Sequence, residues 1–364
     1  MTTPHELLEV LKQVKYPGFS RDIVSFGIVR DIQIGSHGVT VELGAPAADD
    51  AVVEQIQRDV QTALAKVTDL PIAIEIERAP RPAPVGPRPA KQGLPGIAAI
   101  VAVASGKGGV GKSTVAVNVA CALAAQGARV GLLDADVYGP SVPIMLGVGD
   151  ERPEVRSDRR IVPIEKYGLK AISMGMFVGE RTPVIWRGPM VTKLITEFFK
   201  NVVWGELDFL ILDLPPGTGD AQLTVAQQVP LAGGIIVTTP QDVALLDVKR
   251  GITMFNQVQA PILGVVENMS YHVCSQCGRR ADVFSHGGGE AMARQFGVPF
   301  LGAIPLVREI RAAGDRGVPL VVADPQHPQS RAFADIAGAV RTQIDERAAG
   351  MPGHAPTHDH PHQH

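Results

Sequence analysis

The hydrophobic pattern divides the chain into two parts with a proline-rich break between them. Over residues 4–14 (PHELLEVLKQV), Leu7, Leu8, Val10, Leu11 and Val14 recur at helical spacing, and Tyr16-Pro17-Gly18 stops the run. Within residues 23–43 two β-rich stretches, IVSFGIVRDIQI and VTVEL, flank Gly35-Ser36-His37-Gly38, which is hairpin chemistry and makes His37 a turn residue. Residues 47–67 predict an amphipathic helix with Asp49 and Asp50 near its positive end, and residues 71–76 a closing strand. The first domain, residues 1–78, is thus expected to be small and α+β. Residues 79–96 carry prolines at 80, 82, 84, 87, 89 and 95 with basic residues between them, a semi-extended linker that packs no core.

Beyond the linker the period changes. Residues 97–104 are an unbroken run of Ile, Val and Ala, the pattern of a strand buried on both faces of a parallel sheet. Further apolar strands are expected over 130–133, 209–212, 234–237, 262–266 and 299–303, with helices over 112–125, 242–258, 288–296 and 328–346. Between residues 139 and 204, SVPIMLG, YGLKAISMG and VIWRGPM predict a hairpin excursion and then a helix starting at Pro189. Strands alternating with helices define an α/β domain over residues 97–348 with a doubly wound, mostly parallel sheet.

The strand ends carry the chemistry. Gly106, Gly108, Gly109 and Gly111 let the backbone turn with its N–H groups inward, and Lys112, Ser113 and Thr114 open a helix whose N-terminus favours anions. With Lys107 and Val110 filling the loop, the pattern G-x-x-x-x-G-K-[ST] is complete from Gly106 to Ser113. It places Lys112 for the β- and γ-phosphates of a nucleotide and the Ser113 hydroxyl for Mg2+. Asp134 and Asp136 follow the second strand and Asp213 ends the third, where ligands of open α/β sheets gather. A capping pair at a helix start is the other reading of Asp134 and Asp136. One hydroxyl cannot fill an octahedral Mg2+ shell, so Asp213 is the expected second group. Asn268, in Val-Glu-Asn-Met-Ser, ends a strand with an amide able to pair with an adenine edge, or to serve as an ordinary turn residue.

Cysteine usage adds a metal question. Cys274 and Cys277 form a C-x-x-C followed by Gly278, with Arg279 and Arg280 beside them to favour thiolates. There is one such pair in the chain, while a tetrahedral zinc or a cubane cluster needs about four ligands. Either His272 and another group complete the set, or a two-fold dimer brings a second pair to the axis. Spacing alone allows zinc. Cys121 lies among small apolar residues of a helix and reads as packing. Residues 349–364 hold five of the ten histidines with no apolar face, which predicts a disordered tail, either metal-handling or a remnant of expression.

Composition excludes several classes. At 364 residues, with 45% hydrophobic and 20% charged, the chain has core material for two globular domains. A net charge of -3 gives no global pull toward nucleic acid or anionic membrane. No apolar run reaches the roughly 18 residues of a membrane span, and the N-terminus lacks a signal-peptide layout, so a cytoplasmic protein is expected. Three cysteines without a disulfide framework suit a reducing compartment.

Several motifs resemble known families. GKGGVGKS resembles the deviant Walker A loop of the ParA/MinD/ArsA ATPases, which implies that Lys107 crosses a dimer interface to the partner's nucleotide. LLDADVYGPS resembles that group's switch I, which implies that Asp136 orients or deprotonates the attacking water with Asp134 in support. LDLPPGTGD resembles its Walker B and switch II, with Asp213 holding Mg2+ through water, and Asn268 matches its base-recognising asparagine. Pro305 falls near where those relatives line the base pocket. Taken in order with WRGP and ENMS..C..CG, these motifs make residues 97–345 similar to the Mrp/ApbC iron-sulfur cluster carriers. That resemblance implies an ATPase carrying a 4Fe-4S cluster bridged by Cys274 and Cys277 of both subunits of a homodimer. The cluster would pass to apoproteins, with ATP controlling dimer geometry.

The α-β-β-α-β layout before it resembles the accessory domain of iron-sulfur assembly proteins. Here Tyr16-Pro17-Gly18-Phe19 stands where that family shows Asp-Pro-Glu, and Ala47 where many members carry a cysteine. Arg187 is placed either near a dimer seam or in a surface ion pair. The alternatives are a nickel- or zinc-handling ATPase, suggested by the histidines, and a ParA/MinD-type positioning protein on DNA or membrane. The last helix lacks the basic amphipathic character that a membrane surface selects.

Overall fold

The computed structural model describes residues 3–17, 22–25, 27–35, 38–45, 50–78, 94–136, 139–177, 188–217, 220–241, 244–274, 277–283 and 287–350. His37, Ala47, Arg187, most of the linker and the histidine tail lie outside them. The chain divides into two compact units, one spanning residues 1–84 and the other most of 85–364.

The first unit begins with helix α1 (Pro4–Leu11), opened by a reciprocal cap: Thr3 Oγ1 accepts from the Glu6 N–H, and the Thr3 N–H donates to Glu6 Oε2. Strands β1 (Val29–Gly35) and β2 (Gly38–Ala45) form an antiparallel hairpin, and helix α2 (Asp50–Leu64) crosses over to β3 (Ile72–Arg78), parallel to β2. Leu7, Leu11, Val39, Val41, Leu43, Val60 and Leu64 close the core between helices and sheet. The first β-rich stretch is shorter than its sequence predicts. Asp22 Oδ1 accepts from the Ser25 N–H, the Gly27 N–H donates to Val24 O, and Gly27 sits at φ 69°. Residues 22–25 and 27–28 therefore turn instead of extending, Ile23 is buried, and the strand begins only at Val29.

The second unit runs β4 (Ile97–Ala104), α3 (Lys112–Ala125), β5 (Val130–Asp134), α4 (Val142–Met145), β6 (Glu154–Val155), β7 (Ile161–Val162), β8 (Ile164–Lys166), β9 (Leu169–Ser173), α5 (Gly188–Asn201), β10 (Leu207–Asp213) and α6 (Asp220–Gln227). It continues with β11 (Gly233–Thr238), α7 (Ala244–Gln257), β12 (Ile262–Asn268), β13 (His272–Val273), β14 (Arg280–Ala281), α8 (Gly288–Gln295), β15 (Phe300–Ile304), α9 (Arg308–Asp315), α10 (Leu320–Ala323) and α11 (Pro328–Ala348). The central sheet has the order β15-β12-β11-β4-β10-β5-β9-β8. All its pairings are parallel except β8 with β9. The predicted excursion comprises two hairpins, β6–β7 and β8–β9, and the second joins the sheet through a two-residue turn with Tyr167 and Gly168 at φ 50° and 77°.

Burial on both faces explains the unbroken apolar runs. Residues 99–104 of β4 are buried, and α3 is buried nearly all round, with Val115 to Leu123 inside. Cys121 is 2% exposed there, and burial pushes its thiol up to about 12, so it packs as a small apolar side chain. Among the described residues no helix is long and apolar enough to cross a membrane.

Helix α7 lies close on β11 because glycine faces it. A Cβ on Gly234 would sit 2.2 Å from the Phe255 ring, which is fully buried. Gly234→Ala is expected to cost about 1–3 kcal/mol by overpacking. Urea unfolding of the variant beside wild type measures the loss.

Candidate functional site

Three parallel strands end side by side. In register, Asp213 of β10 lies between Val103 of β4 and Asp134 of β5. From β4 the chain enters the glycine loop, where Ser105 Oγ donates to the Lys107 carbonyl at 2.9 Å and the Gly217 N–H donates to Ser105 O at 3.2 Å. Gly109 and Gly111 stand at φ 79° and 80°, a region L side chains avoid. Helix α3 begins at Lys112, and its first intrahelical bond runs from the Val115 N–H to Gly111 O, which leaves the amides of the first turn available to an anion.

The charges inside this cradle are coupled. Lys112 is 5% exposed, and its Nζ lies 2.5 Å from Oδ1 of the fully buried Asp213 and 3.3 Å from Ser113 Oγ. Burial pushes the Asp213 carboxyl up, and the Lys112 ammonium pulls it back toward ionisation. Asp213 Oδ2 is buried with no hydrogen-bond partner. An orphaned carboxylate oxygen close to a serine hydroxyl is a hard-oxygen donor set, and it fits Mg2+.

Asp134 is also fully buried. It accepts from Ser173 Oγ at 2.8 Å and from the Asp136 N–H at 3.0 Å. Burial and then the Asp213 charge push its carboxyl up to about 7. Asp136 is 7% exposed, accepts from the Gly139 N–H at 3.2 Å and lies close enough to Asp213 to raise it. Asp134 is thus a brace at the strand ends, and Asp136 is the second carboxylate beside the cradle.

Lys107 Nζ donates to Gln241 Oε1 of its own chain at 3.2 Å, close to Asp247. Asn268 is 6% exposed, and its amide donates to the Val110 carbonyl at 2.8 Å. A Cβ on Gly111 would lie 2.2 Å from the Asn268 Nδ2. The amide read as a base-pairing group therefore bonds the phosphate loop itself.

Cys274 is half-buried, Cys277 is exposed, and neither forms a disulfide. The Cys274 N–H donates to Arg279 O at 2.9 Å and the Gly278 N–H to Cys274 O at 2.8 Å, with Gly278 at φ 69°. The strand pair β13–β14 closes this tight loop, and the Arg280 guanidinium stacks 3.9 Å over the Tyr271 ring. His272 Nδ1 bonds the Leu306 carbonyl at 3.1 Å. Among the described residues no group of three or more His, Cys, Asp or Glu could hold a metal ion.

The strand ends also hold residues that motif reading passed over. Ser173 is fully buried at the end of β9 in register with Asp134, a position that strand-end reasoning alone could have marked. Asp247 lies against the loop, since a Cβ on Gly106 would meet its Cβ at 2.2 Å. No local motif announces that approach, because α7 follows β11, which neighbours β4 in the sheet but lies more than a hundred residues further along the chain.

Both parts of the chain are similar to known proteins. The family model of NUBPL iron-transfer P-loop NTPases matches residues 96–341, and that of iron-sulfur cluster assembly proteins matches residues 4–71. The chain belongs to the iron-transfer P-loop NTPase family, together with curated bacterial relatives named iron-sulfur cluster carrier proteins. One, from Haemophilus influenzae, is 42% identical over 353 residues, covering 96% of this chain and 94% of that protein. Another, from Pseudomonas fragi, is 51% identical over 257 residues, covering 70% of this chain and 90% of the relative. Among solved structures, a nucleotide-binding protein of Archaeoglobus fulgidus in complex with ADP is 38% identical with a TM-score of 0.58, covering 65% of this chain and 92% of that one. The cell division ATPase MinD of Pyrococcus furiosus, 23% identical with a TM-score of 0.52 over 67% of this chain and 98% of its own, shares the fold.

A carboxyl raised by folding holds its proton between its unfolded and folded values, so its contribution to stability is largest in acid and is lost as pH rises toward 7. Asp134→Asn removes that titration. Compared at about pH 5 and about pH 8 without nucleotide or Mg2+, the stability difference is expected to move in favour of the variant as pH rises. Urea unfolding at both pH values reads the sign.

Proposed function

We propose that the chain is an ATP-hydrolysing carrier that holds a 4Fe-4S cluster across a homodimer and hands it to iron-sulfur apoproteins in the cytoplasm. The observation that carries this reading is the Cys274–Cys277 loop, built onto the strand end next to the phosphate loop and offering only two thiols. A cubane takes about four thiolates, and two copies of one loop at a two-fold axis supply them. The exposed Cys277 suits a loop that must meet both a second subunit and a receiving protein. The family membership and the names of the relatives favour iron over zinc.

In this reading the loop amides and Lys112 hold the phosphates, and Asn268 keeps the loop in shape beside the base. Ser113 and Asp213 would hold Mg2+, which when bound neutralises charge on the β- and γ-phosphates. Asp136 orients the attacking water and takes its proton, with Asp134 fixing the backbone at Asp136 through the 3.0 Å bond. Lys107 gives up Gln241 and reaches the partner's nucleotide, which ties hydrolysis to dimer geometry. Delivery to apoproteins then follows from opening and closing the seam that holds the cysteines.

Anaerobic reconstitution with iron and sulfide tests the cargo. Wild type is expected to take up about four irons and four sulfides per dimer. Cys274→Ser is expected to abolish the cluster spectrum while ADP binding persists; a normal spectrum in that variant, or zinc or nickel in place of iron after anaerobic purification, overturns the assignment. ATP-dependent retention on DNA or liposomes with no iron uptake would instead indicate a positioning ATPase. For the hydrolysis step, Asp136→Asn is expected to lower turnover roughly 10²–10⁴-fold with nucleotide still bound, as steady-state phosphate release and ADP titration would show.

A further inference from the structure

One fully buried carboxylate has no part in the chemistry above. Glu267, next to Asn268 in β12, is 0% exposed, and its partners lie on both sides of the cysteine loop. Oε1 accepts from the Ser270 hydroxyl before the loop and, at 3.4 Å, from the Gly287 N–H after it; Oε2 accepts from the Gly289 N–H at 2.5 Å. Gly289 lies in the first turn of α8, so the carboxylate also caps that helix. The fit leaves no room for change: a Cβ on Gly289 would lie 3.0 Å from both Glu267 Cβ and Oε2.

Other bonds stiffen the same neck. The Ser270 N–H donates to Ile304 O at 2.9 Å, and the Leu306 N–H donates to Tyr271 O at 2.7 Å, which extends the β12–β15 pairing to the edge of the loop. Met269 turns through the left-handed region at φ 56° between these anchors. Successive side chains of a strand point to opposite faces. Asn268 accordingly grips the Val110 carbonyl of the phosphate loop, while Glu267 grips the two ends of the cysteine loop.

We propose that Glu267 is the positioning residue of the cysteine loop, and that the adjacent pair Glu267–Asn268 links the phosphate loop to the presentation of Cys274 and Cys277. The role assigned to the cysteines rests on the carrier function proposed above; the link itself is a property of the folded chain. A charge-assisted clasp at the neck fixes where the loop leaves the sheet, and a shift of the phosphate loop on nucleotide binding moves the same strand end.

The test uses the full, reduced, metal-free chain and reads the rate at which a maleimide modifies Cys274 and Cys277, with and without ADP. In wild type, ADP is expected to change the rate at least about threefold. In Glu267→Gln, whose amide cannot accept from both Ser270 and Gly289, modification is expected to be about tenfold faster, with the ADP effect reduced to none. Glu267→Asp keeps the charge on a shorter arm and is expected to fall between the two. Thermal melting and ADP titration establish that each variant is folded with its phosphate loop intact, and Ser270→Ala, which removes a single partner, serves if the Glu267 variants do not fold. A folded, ADP-binding Glu267→Gln with the wild-type rate overturns the positioning role. A wild-type rate indifferent to ADP overturns the link. Because no iron enters the measurement, failure of cluster uptake leaves this result standing, and the converse also holds.

Discussion

A buried lysine set against a buried carboxylate is the constraint on which the second unit depends. Lys112 and Asp213 lie 2.5 Å apart at 5% and 0% exposure, and Asp134 is in register beside Asp213. Such charges are costly to bury, and they persist because β4, β10 and β5 deliver them to one point. Removing either partner would leave its mate desolvated and alone. The apolar strands thus have a second task beyond core formation: they hold an ammonium and neighbouring carboxyl groups at spacings that water would relax. Nucleotide phosphates and a divalent cation are the chemistry able to relieve that arrangement.

The cysteine loop obeys a different logic. Its backbone is closed by hydrogen bonds within the loop and by the stacked Arg280 and Tyr271, while Cys274 and Cys277 form no disulfide. A cradle built from buried charge and a loop carrying the half-buried Cys274 and the exposed Cys277 are joined by one strand, β12. The first acts on a small anion inside the subunit, and the second acts on what lies outside it.

Much of this was legible in the chain because the signals are local. The glycine loop, the carboxylates Asp134, Asp136 and Asp213, and the cysteine pair each follow an apolar run within a few residues, so strand-end reasoning finds them. The turn that precedes β1 was not legible, since Ile23 and Val24 read as strand residues until the Asp22–Ser25 and Val24–Gly27 bonds close the chain. Ser173, Gln241 and Asp247 meet partners from distant parts of the chain, and nothing near them in the sequence names those partners; Glu267 has Ser270 close by, but its bond to Gly289 spans the whole cysteine loop. The amide of Asn268 is legible as a polar strand end, but its partner, the Val110 carbonyl, is 158 positions away.

The close approach of Gly106 to Asp247 has a mechanical meaning. With no side chain on one member, backbone meets the helix at a separation that even a methyl group would violate. A contact of that kind has no slack to absorb a small displacement. Any tilt of α7 therefore passes undamped into the first residue of the glycine loop, and the stiffness of the cradle is set as much by the seat of that helix as by the loop's own bonds.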